Sequence, residues 1–297
     1  MKSSTHLFFE NLLLSTLTFF KILIRSNFRV KFPPKDQFKN DILIIGNGPS
    51  LNQSIEKLLA LGKEKMDFLA VNFFAFSEYF ERFSPNLYVI AAPEFWLEDV
   101  DQDYKDKRLE LFRKMVELVD WDFYLFVPFE GKKIKFWQEI LKKNSHIKLS
   151  FFNTTPVEGF YSLNKIFYKY KLGQCRPHNI IIPSLFIALG LNYRNIYLIG
   201  VEHSWLPNIL VNEKNEVLIK QDHFYDNKEA VYKPMKKLGK GKRHLHEVLE
   251  KFYLTFKGYF EIDKYARSNN ARIYNLTINS YIDAFEKIDI DKIYLNK

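Results

Sequence analysis

From Asp41 onward, short runs of β-branched and aromatic residues alternate with stretches whose apolar positions recur every three to four residues. Residues 41–46, 67–72, 86–91, 123–127 and 195–200 are apolar enough to be strands buried on both faces. Residues 51–61, 105–119 and 184–191 carry the helical period between them. A long amphipathic helix reaching about residue 268 and a last buried strand at 271–275 close the pattern. Strand and helix taking turns in this way predict an α/β fold: a mostly parallel, Rossmann-like sheet with helices on both faces.

The first 35 residues do not follow this pattern. Leu7, Phe8, Phe9, Leu12, Leu13, Leu14, Leu17, Phe19, Phe20, Ile22, Leu23 and Ile24 crowd one stretch, interrupted by Glu10, Asn11 and Lys21. Pro33-Pro34 cannot continue a helix, so the chain divides into segment 1–35 and a single domain, 36–297. The interruptions fit a spanning helix poorly, and no small-residue cleavage site marks a signal peptide. With Lys2, Lys21, Arg25, Arg29 and Lys31 around it, the segment reads as an amphipathic helix in a membrane interface, its cations facing anionic lipid. Packing on the domain or on a second copy of the chain, in a homo-oligomer, is the alternative.

Composition narrows the setting. Apolar residues make up 47% of the 297, with 29 Phe and 17 Tyr, which is the make-up of a packed core rather than a disordered chain. A net charge of +9 suits an anionic partner. The lysines are dispersed except at 233–246, and no nucleic-acid module is recognisable, so nucleic acid is not the expected partner. The single cysteine, Cys175, rules out an intrachain disulfide and a Cys-rich metal site, and a reducing, cytoplasmic compartment fits. Residues 233–246 hold six Lys or Arg with two Gly and a Pro, which predicts a mobile surface loop.

Candidate chemistry begins at the end of the first strand. Gly46-Asn47-Gly48-Pro49-Ser50-Leu51 runs from that strand into Ser50-x-x-Gln53, the pattern of a capping box opening a helix. Glycines allow close approach to the backbone, and a helix N-terminus offers unpaired N–H groups, so the turn reads as a phosphate cradle. Asn72 ends the second strand and is placed to bond a ribose or base in the same crevice. Four histidines fall late in the chain, His203, His223, His244 and His246; any of them could take a proton near neutral pH, and their spacing is no zinc signature. Asp99, Asp101 and Asp103 precede a charged helix, where acidic residues complement the helix dipole more readily than they hold a metal.

Three of these segments together resemble the bacterial sialyltransferases of glycosyltransferase family 42 and related motility-associated and capsule glycosyltransferases. They are Gly46-Asn47-Gly48-Pro49-Ser50-Leu51, the pair Ile187–Gly190 and Asn195–Glu202, and residues 272–280. The resemblance implies a GT-A-like variant of the nucleotide-binding sheet, with Asn47 and Asn72 on the nucleotide and Arg176 just before a central helix. It further implies a mobile lid at 226–246 and a histidine base directly after it, His246 or else His244. This chain has His178-Asn179 where the family has a Ser-Gly pair. The family's phosphate-binding tyrosines fall near Ser204-Trp205 and His223-Tyr225, so His203, Ser204, His223 and Tyr225 are the residues that inherit those roles.

The activity so implied is transfer of a sugar, sialic acid or a related nonulosonic acid, from a CMP-sugar to a hydroxyl of a glycan or lipid-linked glycan. It is an inverting displacement without metal or cofactor, in lipooligosaccharide or capsule synthesis at the inner face of the cell membrane. A pterin diphosphokinase-like enzyme using Mg-ATP shares the Gly-x-Gly-Pro-Ser-Leu turn and is the alternative.

Overall fold

The computed structural model describes residues 3–176, 178–220, 224, 231–237 and 240–294. Helix α1, Ser4–Arg25, comes first. The domain then follows with β1 (Asp41–Ile45), α2 (Ile55–Leu61), β2 (Asp67–Val71), α3 (Tyr79–Phe83), β3 (Leu87–Val89), α4 (Gln102–Leu118), β4 (Phe123–Pro128), α5 (Phe136–Leu141) and β5 (Ile147–Phe152). Next come α6 (Tyr161–Lys169), α7 (Ile181–Gly190), β6 (Asn195–Ile199), β7 (Ile209–Val211), β8 (Val217–Ile219), β9 (Lys233–Pro234), β10 (Lys236–Lys237) and β11 (Lys240–Lys242). The chain closes with α8 (Leu245–Ser268), β12 (Arg272–Asn275) and β13 (Glu286–Lys287).

Eight strands form one sheet in the order β13-β12-β6-β1-β2-β3-β4-β5, and every pairing in it is parallel. Parallel strands need crossovers, and the helices that supply them cover both faces. Alternation along β1 shows the result: Leu43 and Ile45 join the layer built on Leu58, Phe80, Phe112 and Trp137. Ile42 and Ile44 join the opposite layer with Ile182, Leu185, Tyr259 and Ile262. The chain winds outward from β1 through β5, then returns to place β6 on the other side of β1. That reversal opens a crevice at the C-terminal ends of β1 and β6, the place where sheets of this kind bind ligands.

Several expectations are corrected in detail. The helix foreseen at 51–61 is split into a 3₁₀ turn, Pro49–Gln53, and α2; Ser50 caps neither, and its hydroxyl is buried without a partner. Proline at the first position of that turn already removes one N–H and fixes φ, so the tight turn forms without a side-chain cap. The helix foreseen at 184–191 starts at Ile181, with Pro183 in its first turn, because the first-turn N–H groups of a helix need no intrahelical acceptor. The basic stretch foreseen as a loop holds short strands in its described part. Strand β9 extends the antiparallel β7-β8 pair, and β10 pairs with β11. Strand β5, whose burial alternates irregularly, has no counterpart among the expected strands.

Helix α1 rests on the domain through its polar side. Thr18 Oγ1 donates to the Glu158 carbonyl at 2.9 Å, Ser15 Oγ accepts from Phe160 N at 2.9 Å, and Lys21 pairs with the Glu158 carboxylate at 3.4 Å. A Cβ on Gly159, which has φ +106°, would overlap Ser15, so only glycine admits the helix this close. Leu7, Phe8, Phe9, Leu12, Leu13, Leu17, Phe19, Phe20, Leu23 and Ile24 stay exposed, Ile24 at 82%. Among the described residues, α1 is the one helix long and apolar enough to cross a membrane.

Candidate functional site

At the crevice, the ends of β1, β2 and β6 meet the first turn of α7 and the middle of α8 around a cleft of about 300 Å³. Gly46, Asn47, Gly48, Asn72, His178, Asn179, His203 and Ser204 all line it, so residues distant in sequence converge as expected. Glu202, Trp205, Lys220, Lys251, Phe252 and Thr255 line it as well.

The backbone around the cleft is tightly held. Gly46 N donates to Ile199 O at 2.8 Å and Gly48 N to Gly200 O at 2.9 Å, which stitches the glycine turn to the end of β6. A Cβ on Gly46 would overlap the Gly200 carbonyl. Beyond β6 the chain turns through Gly200 (φ +65°) and His203 (φ +51°). The segment after β12 braces this strained turn: Val201 N donates to Thr277 Oγ1, Ser280 Oγ donates to Val201 O, and Tyr281 N donates to Glu202 O. Residues 272–280 thus support the site without lining it.

At the cradle itself the chain supplies its own anion. Ser50 N donates to Glu202 Oε1 at 2.6 Å, and a Cβ on Gly48 would overlap the Glu202 carboxylate. The glycine turn therefore accommodates a carboxylate, where the sequence suggested phosphate.

The side chains facing the cleft carry polar atoms with no partner among the described residues. Asn47 spends its amide group on Val71 O at 3.2 Å, which leaves Oδ1 buried and unbonded; Asn72 Oδ1 is also unbonded. Asn179 Oδ1 accepts from the backbone N–H of Ile181 and Ile182 at 2.7 and 3.1 Å, capping α7, and from the Tyr259 hydroxyl at 3.2 Å. These donors fix which end of the amide is oxygen, and Nδ2 is left buried without an acceptor. His178 Nε2 is the fourth such atom. Buried polar groups are normally paired, so four such atoms in one cleft make it a candidate site for a polar ligand.

The two cleft histidines are neutral. Burial lowers the pKa of His178 to about 4, helped by the positive charges of Lys251, Arg176 and Arg243; burial alone lowers that of His203 to about 3. His203 Nε2 lies 2.6 Å from the Tyr259 hydroxyl, which itself donates to Asn179, so Nε2–H is the donor. That assignment leaves Nδ1 as an acceptor. The ring stacks on Trp205 with centroids 4.1 Å apart, and Trp205 stacks on Phe252 of α8. Lys251 is half-buried in the cleft wall and makes no ion pair among the described residues. Burial and Arg243 lower its pKa, with Glu94 opposing.

No family model and no curated protein matches this chain.

Other expected site residues fall elsewhere. Arg176 turns from the cleft to Glu158, bonding it through Nε at 2.8 Å and Nη2 at 3.0 Å. His244 and His246 are exposed at the start of α8, stacked on each other, with His244 in a capping box with Glu247. Neither lines the cleft, because the cleft-facing positions of α8 are 251, 252 and 255. His223 and Tyr225 lie outside the described residues. Between them, Phe224 packs on Phe74, its N–H donating to Asn47 O and its carbonyl accepting from Asn52 Nδ2. Asp101 is the N-cap residue of α4 and Asp103 stands in its first turn. Glu202 and Lys251 were not singled out by sequence as site residues, although Glu202 ends the segment Asn195–Glu202 that carries part of the family resemblance.

Proposed function

We propose that the chain is a glycosyltransferase that moves a sugar, sialic acid or a related nonulosonic acid, from a CMP-sugar to a hydroxyl of a cell-surface glycan. The observation that carries this reading is the cluster of unpartnered polar atoms at the β1/β6 crevice and the way it is divided. Acceptors lie on the strand side: the unpartnered Asn47 Oδ1 and Asn72 Oδ1, and beside them the Glu202 carboxylate, one of whose oxygens is taken by Ser50 N, suited to the hydroxyl and amino hydrogens of a nucleoside. Donors and cations lie on the helix side: Asn179 Nδ2, Lys251 and Lys220, suited to a phosphate and a sugar carboxylate. A nucleotide laid across the cleft satisfies both sets only with its base and ribose toward β1 and β2.

In this reading His203 is the general base. Tyr259 and Trp205 hold its ring, and Nδ1 accepts the acceptor hydroxyl's proton as that oxygen bonds to the anomeric carbon. The bond from that carbon to the CMP phosphate breaks, and CMP leaves with the electron pair. A base with a pKa near 3 is poorly matched to neutral pH, but an anionic donor beside it favours the protonated imidazole and raises that value. Lys251, with His178 beside it, stabilises the departing phosphate. Residues 226–246, which include the basic strands β9 to β11, would act as the lid of a GT-A-like variant, with Met235 already at the cleft wall. The outward apolar face of α1 supports a position at the inner membrane surface.

Incubation with CMP-sialic acid and a glycan acceptor tests the reading. Release of CMP that depends on acceptor and survives chelator is expected. CMP-sugars left intact, alongside consumption of Mg-ATP, would replace this reading with the diphosphokinase alternative.

A further inference from the structure

A second cleft lies at the same end of the sheet, beside the last turn of α1. It is lined by Ile24, Arg25, Asn27, Phe28, Arg29 and, from a segment about a hundred residues away, Glu130 and Lys133. The chain is held there firmly: Ser26 Oγ donates to Leu172 O at 2.6 Å, and Asn27 N donates to Asn153 Oδ1 at 2.8 Å. Arg25, Arg29 and Lys133 are exposed, and none of them makes an ion pair among the described residues; Glu130 instead accepts from Thr154 at 2.9 Å. Three unpaired cations thus border one hollow at the foot of a helix whose outward side is apolar. Phe28 and Ile24 stand exposed at the junction.

We infer that this hollow binds the phosphate of an anionic phospholipid, with the acyl chains lying along the outward face of α1. Charge and hydrophobicity are ordered as a lipid is: cations and amides at the foot, hydrocarbon contact beyond them. A soluble phosphate would use the cations but leave the apolar face in water; a purely apolar partner would leave the cations unpaired. The hollow follows β4, three strands from β1, so it lies about 14 Å from the β1 crevice at ~4.8 Å per strand. Both open at the C-terminal end of the sheet, so a headgroup held there would keep the nucleotide cleft near the bilayer surface.

This inference rests on α1 lying at a membrane and not on the glycosyl-transfer chemistry, so the two fail separately. The test is flotation of the full chain with phosphatidylcholine vesicles, with and without phosphatidylglycerol. One triple variant is Arg25→Glu, Arg29→Glu and Lys133→Glu. The control triple carries the same change of charge on the opposite helix layer: Lys57→Glu, Lys107→Glu and Lys143→Glu. All six positions are exposed, so folding is not at stake. The first triple is expected to lose at least tenfold in binding to phosphatidylglycerol vesicles and the control less than threefold. Equal losses would overturn the site in favour of bulk charge. Displacement of the protein from vesicles by millimolar inorganic phosphate would overturn it in favour of a soluble anion. Wild-type protein that floats with neither vesicle would overturn the membrane reading of α1 and this site with it.

Discussion

The β1/β6 cleft and helix α1 depart from ordinary packing in opposite directions. In the cleft, Asn47, Asn72, His178 and Asn179 hold buried polar atoms with nothing to bond. Along α1, ten large apolar side chains face outward while Ser15, Thr18 and Lys21 are turned inward. Each arrangement is costly for an isolated molecule, an unpaired buried donor or acceptor by about 1–3 kcal/mol and exposed apolar surface by ~25 cal/mol per Å². Each cost disappears with a partner of the matching kind, polar in the first case and apolar in the second. The two regions thus predict two different partners.

The sharpest way to break the comparison is at His203. Replacing it with Ala is expected to lower turnover by about 10²-fold or more while CMP affinity stays within about threefold. Unchanged turnover measured with saturating donor would remove His203 from the chemistry. Next in size is the α1 face. Phe9→Asp with Leu13→Asp should abolish vesicle flotation and leave CMP affinity untouched, since neither residue touches the cleft. A parallel loss of CMP binding would show that the two regions are not separate.

Asn179→Asp is a finer cut. It keeps the oxygen that caps α7 but replaces the unbonded amide group with a carboxylate oxygen, so thermal stability should hold while CMP affinity falls about tenfold. Lys251→Gln removes a half-buried cation that makes no ion pair among the described residues. Melting of the free protein should rise slightly, by about 0.5–1 kcal/mol in stability, and CMP should bind more weakly. A fall in both would make Lys251 a structural residue.

The pH dependence of stability offers a last cut. His178 and His203 have folded pKa values of about 4 and about 3, against 6.5 for an unperturbed imidazole. Below pH 6.5 the unfolded chain binds protons that the folded chain refuses, so stability should fall as pH drops from 6.5 towards 4. His178→Asn should flatten that slope in a series of urea melts.

Much of the sheet was legible because fully buried parallel strands are continuous apolar runs, as in Asp41–Ile45 and Asn195–Ile199. Strand β5 was not, because Lys148 is exposed and Leu149 and Phe151 are only half-buried at the sheet's edge. In the cleft, Gly46–Gly48 and Asn72 were legible because a tight turn at a strand end needs those residues. The choice among histidines was not. His203 is distinguished from His244 and His246 by Tyr259 and the brace from Thr277 and Ser280, contacts made across 50 or more residues. Glu202 was hidden for the same reason: only the fold brings its carboxylate to Ser50. The orientation of α1 was also beyond reach, since the helical pattern gives a polar side but not which side the domain takes.

The claim on which the rest depends is that the β1/β6 cleft binds a cytidine nucleotide. Thermal unfolding with CMP, CDP, UDP, GDP and ATP, each with and without Mg²⁺, tests it directly. A ligand at 100 times its dissociation constant adds about 2.7 kcal/mol. Stabilisation of that size by CMP without Mg²⁺, and its loss in Asn179→Asp, is the result expected. No response to CMP together with a clear response to Mg-ATP would contradict the account.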